Sequence, residues 1–546
     1  MAYCALTISG GTRGEDDLPE GTAHFVEHAL FKGTRRKSAR VISSYLDRWG
    51  GELNAYTTKE EIVLHATVLK EDLRRASDLL MELAFEAMFP EKEIEMERGV
   101  IIDEIQSYMD VPSDDIYDRF EAMLFEGHPL SRLILGTVKS VKKIRREHLM
   151  AFCARWFRYE NMVLTLVGPQ SEAQLKALVC RLSKRWAGKA PGFSRAGKKF
   201  SGPEKRAPEI LFTCAPSTPS HCASSPSSEE TEASLTSYLP TVYELRSFPP
   251  SRSEEETNSL FSRSCVVSCV PASQELVSGG PLPLPVAEGG HAPATTNTAS
   301  LTCPCASSTP SHGASSQTGL ETPDQVGGDG QGVAQTFGDG QGVAQTIGDG
   351  QGSSPSCPAA TGHPFSCRLK KHNHQCNCVL GFTGPSLREK ERRIGTILLC
   401  NILGGPATNS RLNSILREKN GWVYSVECAY TPYADTGIVS VTFGCEHEHL
   451  EDCLRVVKRE IRRLREEALS PRAFSVSCRQ LLAQMAVSAE SGEAQALSMG
   501  KSVASFGTVH TSEEDRQAIF SLSPEYLRTL AEELFEDARQ SLLIYE

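Results

Sequence analysis

The chain has 546 residues and a formal net charge of -11, and it carries no compact Lys/Arg patch interleaved with aromatics. That balance argues against a nucleic-acid reader, which needs a basic face to neutralise phosphates. The length allows about two to four domains, and the opening apolar run, MAYCALTISGG, is too short for a bilayer span and lacks the basic flank of a secretory signal, so no membrane partner is expected.

Taken in chain order, residues 2–9 read as a strand and 22–32 as a helix behind the Gly21-Thr22 start. Residues 41–49 read as a second helix, stopped by Gly50-Gly51. From 52 to 69 the sequence alternates and is rich in β-branched residues, predicting strands with a turn near Thr58-Lys59-Glu60. Helices follow over 70–87 and, with Pro90 in the first turn, over 91–109. Around residue 205 apolar periodicity stops, and until about 365 Ser, Thr, Pro and Gly dominate. GDGQGVAQT recurs at Gly328 and Gly338, and GDGQG at Gly348, a ten-residue period. With one Asp per unit this fits a disordered insertion better than a calcium-binding repeat. Strands are expected again at 376–382, 423–430 and 437–443, with helices at 390–403 and 448–467. Strand–helix alternation on both sides predicts an α+β fold, with residues 1–204 as the first domain, 205–365 as the insertion and 366–546 as a second, similar domain.

The chemistry concentrates in HFVEH. His24 and His28 are four apart, so on a helix they leave one face a turn apart and can bite one metal. Glu27 shares that side, where a carboxylate can take a proton from a metal-activated water and return it to a leaving amine. The order is the reverse of HExxH. A catalytic zinc site takes three protein ligands, and the helix PEKEIEMERGVIIDEIQSYM offers Glu97 and Glu104, seven apart and on nearly one face. Spacing alone does not choose between them.

GTAHFVEHALFKGT, GGELNAYTTKE, ERGVIIDEI and, far downstream, LGGPATNSRLNSILREKNGWVYSV together resemble the pitrilysin and insulinase group of inverted-motif zinc metallopeptidases, especially the bacterial processing-peptidase-like members. The resemblance covers about 1–195 and 370–546. It implies that Glu104 is the third zinc ligand beside His24 and His28, one zinc per chain, and that Glu97 orients a ligand or the water. It implies that Arg417 and Tyr424 hold substrate and stabilise the oxyanion. Asn54 and Ala55, in the strand beside the zinc, would pair with an added peptide strand. The fold it implies is two homologous half-chain α/β sandwich units forming a clamshell, closed over the substrate.

Relatives usually begin further upstream, so the first sheet is expected to lack a strand and to expose an edge. Eighteen cysteines scattered through a long chain point to a reducing, cytoplasmic setting. His372, His374, Cys376 and Cys378 could be read as a second metal cluster, against the plainer reading of a Cys-containing strand. The leading function is a zinc endopeptidase acting on unfolded peptides, with a homodimer or a related subunit as the expected partner. The alternatives are a non-catalytic assembly subunit, or an interaction scaffold acting through the insertion.

Overall fold

A computed structural model describes residues 1–186, 211–214, 265–269, 362–371 and 374–546. They belong to one compact unit joining Met1–Leu301 with Ala360–Glu546. The first half contributes strands β1 (Ala2–Ile8), β2 (Glu52–Thr57), β3 (Ile62–Val68), β4 (Met162–Gly168), β5 (Leu211–Cys214) and β6 (Cys265–Cys269). Its helices are α1 (Thr22–Leu30), α2 (Ala39–Ser43), α3 (Leu73–Glu86), α4 (Glu91–Met109), α5 (Pro112–Leu124), α6 (Val138–Val141), α7 (Arg146–Trp156) and α8 (Glu172–Trp186). The second half contributes β7 (Ser366–Leu369), β8 (Cys376–Gly384), β9 (Val423–Pro432), β10 (Gly437–Cys445) and β11 (Ser541–Tyr545). Its helices are α9 (Lys390–Gly404), α10 (Leu450–Glu466), α11 (Pro471–Ala489), α12 (Gly492–Phe506), α13 (Ser512–Phe520) and α14 (Pro524–Leu534). Among the described residues no helix is long and apolar enough to cross a membrane.

The first sheet runs β2-β3-β1-β4-β6-β5 and the second β9-β10-β8-β11-β7. Read from the β2 and β9 edges, the first five positions match, down to a parallel strand beside an otherwise antiparallel set. The mixed helix-and-sheet fold of two like halves is therefore present in the chain. Each sheet carries its own helices on one face, and on the other a helix lent by the opposite half. β1 shows why its sequence suits this. Cys4, Leu6 and Ile8 enter the core under α1 and α3, while Ala5 on the other face meets Ala496 of α12. Both faces are covered, so the strand is apolar almost throughout rather than alternating.

The exchange of helices is reciprocal. From α5, Phe120 and Leu124 pack with Val379, Leu543 and Tyr545 of the second sheet. Fully burying a side chain such as Phe120 contributes about 1.5–3 kcal/mol. Gly381 makes room for it, because a Cβ there would stand 2.7 Å from the Phe120 ring. From α12, Gly500 lies so close to the first sheet that a Cβ would meet Thr7 Oγ1 at 2.5 Å. Polar ties follow the same seam. Tyr433 donates to Glu121, Lys59 pairs with Glu121 at 3.1 Å, and Arg13 holds Asp435 through both terminal guanidinium nitrogens.

Two expectations change. The helix over 41–49 shrinks to α2 and a 3-10 turn at Asp47–Trp49, because Ile42 and Leu46 are its buried anchors and the rest is exposed or half-exposed. β5 and β6 lie inside the stretch read as insertion. Their short LFTC and CVVSC runs were masked by Ser- and Pro-rich surroundings, yet β6 pairs with β4. β1 is paired on both sides, with β3 and β4, and the described ends of the first sheet are β2 and β5. The ten-residue repeats and His372 lie outside the described residues.

Candidate metal centre

α1 and α4 pack together and bring four titratable side chains into one space. His24 Nε2 is 3.8 Å from Glu104 Oε1, and His28 Nε2 is 3.5 Å from Glu104 Oε2. The two imidazole centroids are 4.6 Å apart. His28 Nδ1 donates to Glu97 Oε1 at 2.9 Å, which leaves Nε2 as the lone-pair nitrogen turned towards Glu104. Glu97 is held in turn by Lys32 Nζ at 2.5 Å.

The ligand atoms of His24, His28 and Glu104 all lie within 4.8 Å of one another. Glu104 Oε2 is buried without a hydrogen-bond partner. Two imidazole nitrogens and a carboxylate oxygen thus face each other as acceptors with no donor between them, an arrangement that a cation satisfies. Two nitrogens and one oxygen are the donor set of a catalytic zinc, so the residues fit that ion. His24 Nδ1 is also buried and unpartnered, and lacks the outer hydrogen bond that steadies His28.

In the metal-free chain the groups differ: His24 is held neutral, whereas His28 and Glu104 gain affinity for protons, which a bound cation would displace. Burial, with His28 beside it, holds His24 well below the ordinary imidazole range, so it stays neutral with its lone pair available. Burial would also lower His28, but the hydrogen bond to Glu97 and the charges of Glu27, Glu104 and Glu97 prevail and raise it. Burial pushes the Glu104 carboxyl up. Glu97 ends below its usual value because its bonds to His28 and Lys32 outweigh burial. Glu27 is 8% exposed, and burial raises its carboxyl against the pull of a hydrogen bond from Thr57 Oγ1 to Oε2 at 2.5 Å.

The structure brings together His24, Glu27, His28, Glu97 and Glu104. It sets Asn54 and Ala55 on β2, the end strand of the first sheet. Ala55 turns to the core under α1, and exposed Asn54, opposite His65, lies on the other face. Arg417 and Tyr424 do not join the group. Arg417, in a π-helical turn at Asn413–Lys419, turns its guanidinium to neighbouring Glu418, and Tyr424 on β9 is 92% exposed. Cys376 and Cys378 are buried in the second core, with Cys376 Sγ 3.0 Å from His447 Nδ1. Among the described residues no third ligand converges on them. Sequence reasoning missed Thr57 and Lys32. Lys32, one turn after His28, carried a spacing signal, whereas Thr57 depends on how β2 meets α1.

The family model described as Insulinase (Peptidase family M16) matches residues 1–138, and the one described as Peptidase M16 inactive domain matches 143–230 and 333–481. An uncharacterized zinc protease of Mycobacterium leprae is 38% identical over 178 residues, 33% of this chain and 40% of that protein. A probable mitochondrial-processing peptidase subunit beta of Arabidopsis thaliana is 34% identical over 209 residues, 38% of this chain and 39% of its own length. The chain thus spans about two fifths of these curated relatives. A solved protease structure from Helicobacter pylori superposes over 100% of this chain and 93% of its own with a TM-score of 0.64 at 13% identity, a likeness of fold. Two adjoining matches to one family, the first enclosing every residue of the metal centre, show that the chain belongs to the insulinase peptidases, family M16.

Proposed function

We propose that the chain is an active zinc endopeptidase that hydrolyses bonds in unfolded peptides or small proteins enclosed in a chamber. The observation that carries this reading is the convergence of His24, His28 and Glu104 beside the buried carboxyl of Glu27. Zinc held by those three side chains would supply Lewis acidity, lowering the pKa of a water and polarising the scissile carbonyl. Glu27 does the proton work. Thr57 holds its Oε2, leaving Oε1 to accept a proton from the water and return it to the leaving amine. Burial, which raises the proton affinity of Glu27, suits both halves of that transfer. Glu97 keeps the His28 ring in place.

An extended peptide adding to the β2 edge would be held by backbone hydrogen bonds at Asn54 and Ala55, with little reading of sequence. Successive side chains would point alternately to the α1 side and to the face shared by Asn54 and His65. Arg417 and Tyr424 clamp the substrate and stabilise the oxyanion, and a second copy or a related subunit supplies them. In support, the two halves of one chain are pinned by the exchanged helices α5 and α12, so a hinge between them would have to break two apolar cores, while Tyr424 stands free. Thiols rather than disulfides among the described cysteines accord with a reducing, cytoplasmic setting.

The test is zinc stoichiometry and cleavage of a quenched peptide by wild type and Glu27→Gln. About one zinc is expected in both, with cleavage in the variant lower by roughly 10²–10⁴-fold. An active Glu27→Gln chain would sink the mechanism, and a metal-free wild type would sink the assignment. Mixing Glu27→Gln chains with Arg417→Ala chains should recover cleavage, because one copy then carries an intact metal centre and the other an intact clamp.

A further inference from the structure

We infer that Glu15 is a positioning residue that fixes the rotation of α1, and with it the aim of His24, Glu27 and His28; the functional consequence rests on the peptidase reading above. Glu15 ends the 3-10 turn at Thr12–Glu15 and is 0% exposed. Its Oε1 accepts the Ala23 N–H at 2.8 Å, and its Oε2 accepts the Gly21 N–H at 3.3 Å with Arg132 Nη1 at 3.5 Å. All three of these partners are donors, and they pull against burial, which with Glu20 nearby pushes the Glu15 carboxyl up to about 8.

α1 needs such a group. Its N-cap is Gly21, at φ 88° and with no side chain to cap the first turn, so the N–H groups that open the helix lack intrahelical acceptors; Thr22 N–H finds the Pro19 carbonyl at 3.2 Å, and Gly21 and Ala23 turn to Glu15. Glu15 supplies acceptors for the Gly21 and Ala23 N–H groups from the preceding turn. The same end is wedged in place. A Cβ on Gly21 would stand 2.7 Å from Leu135 O, Leu133 N donates to Glu20 Oε1 at 2.7 Å, and Arg132 donates to the Leu18 and Asp16 carbonyls. His24 follows Ala23 directly, so the Glu15 bond is made one residue from the first metal ligand. The other ligand set, on α4, is anchored separately. A site assembled from two helices works only if each is held to about 0.5 Å and 10–20°, and Glu15 provides that for the helix that carries three of the functional groups.

Zinc affinity of the metal-stripped full chain, read by competition with a chromophoric chelator, tests this. Glu15→Gln turns an amide NH₂ towards donors on one side. It should weaken zinc binding about 10-fold or more, speed hydrogen exchange at the Ala23 amide, and lower kcat with KM unchanged. Arg132→Met removes the loop's arginine but leaves the Gly21 and Ala23 bonds, and should weaken zinc by less than about 3-fold by the same measure. A Glu15→Gln chain that melts earlier yet binds zinc like wild type would show a merely structural acid and overturn the inference, as would an Arg132→Met chain equally weakened. Should Glu15→Gln not fold, Glu15→Asp, one methylene short of Ala23, carries the same reading at smaller amplitude. Absence of cleavage in wild type would defeat the peptidase reading while leaving the zinc measurement to decide this one.

Discussion

α1 with α4 in the first half, and α9 with α11 in the second, occupy the same place against sheets of the same strand order. The first pair meets through imidazoles and carboxylates, His28 on Glu97 and Glu104 between both histidines. The second buries Leu398, Leu399, Cys400, Ile402 and Leu403 on α9, and its polar contact is a neutral one, Asn401 Nδ2 to Gln484 Oε1 at 2.6 Å. The fold therefore closes without any charge at this position. In the first half a stretch of ordinary core has been given over to buried titratable groups, most of them shifted by desolvation, which is how a functional site departs from the packing rules obeyed elsewhere.

That contrast can be tested by moving the first half towards the second. Glu97→Gln makes the partner of His28 an amide, as in the α9–α11 contact. It removes the charge that faces His28 and Lys32 but keeps an acceptor. Zinc affinity should fall by roughly 10- to 100-fold, while stability of the metal-free chain changes little. Chelator competition and thermal melts separate the two, and unchanged zinc affinity would leave Glu97 as no more than a partner for Lys32.

The exchanged helices differ in the same sense. α12 enters the first half with Gly492, Ala496 and Gly500, whereas α5 enters the second with Asp115, Asp118 and Glu121. Asp115 is satisfied by Tyr545 and Lys371, both at 2.6 Å, and Glu121 by Lys59 and Tyr433. Burial pushes Asp118 up to about 6, against the attraction of Lys59. A carboxyl raised on folding adds stability below its unfolded value, near pH 4, and loses that contribution as pH climbs through about 6. Asp118→Asn should therefore stabilise the chain by about 1–2 kcal/mol at pH 7.5 and by nothing near pH 4. Melting temperatures of both chains across that range give the answer, and a difference independent of pH would remove Asp118 as its source.

How much of this could be read from the chain depends on the range of each interaction. HFVEH declares itself because ligand, base and ligand lie within one helical turn. Glu104 needed the wider resemblance, since seven-residue spacing offered Glu97 equally. Thr57 on Glu27, Arg132 on Glu15 and Tyr433 on Glu121 join residues 30, 117 and 312 positions apart, and no local pattern encodes such pairings. The exchange of α5 and α12 was hidden for a related reason. A helix apolar on one face announces that it packs, not against which sheet. β5 and β6 were lost because four or five apolar and β-branched residues give too short a run to stand out from Ser- and Pro-rich flanks.

The smallest expected effect lies in the second half itself. Asn401 and Gln484 join α9 to α11 where carboxylate and imidazole join α1 to α4, and a neutral hydrogen bond contributes only about 0.5–1.5 kcal/mol. Asn401→Ala removes the donor and leaves Gln484, so the chain should lose about 1 kcal/mol, visible as a modest drop in the urea midpoint. Zinc affinity and kcat should stay at wild-type values, because the contact belongs to the α9–α11 pair and touches neither α1 nor α4. If zinc binding fell with it, the two helix pairs would have to be coupled through the seam formed by α5 and α12, and the second half would be setting the geometry of the metal centre instead of only sharing its fold.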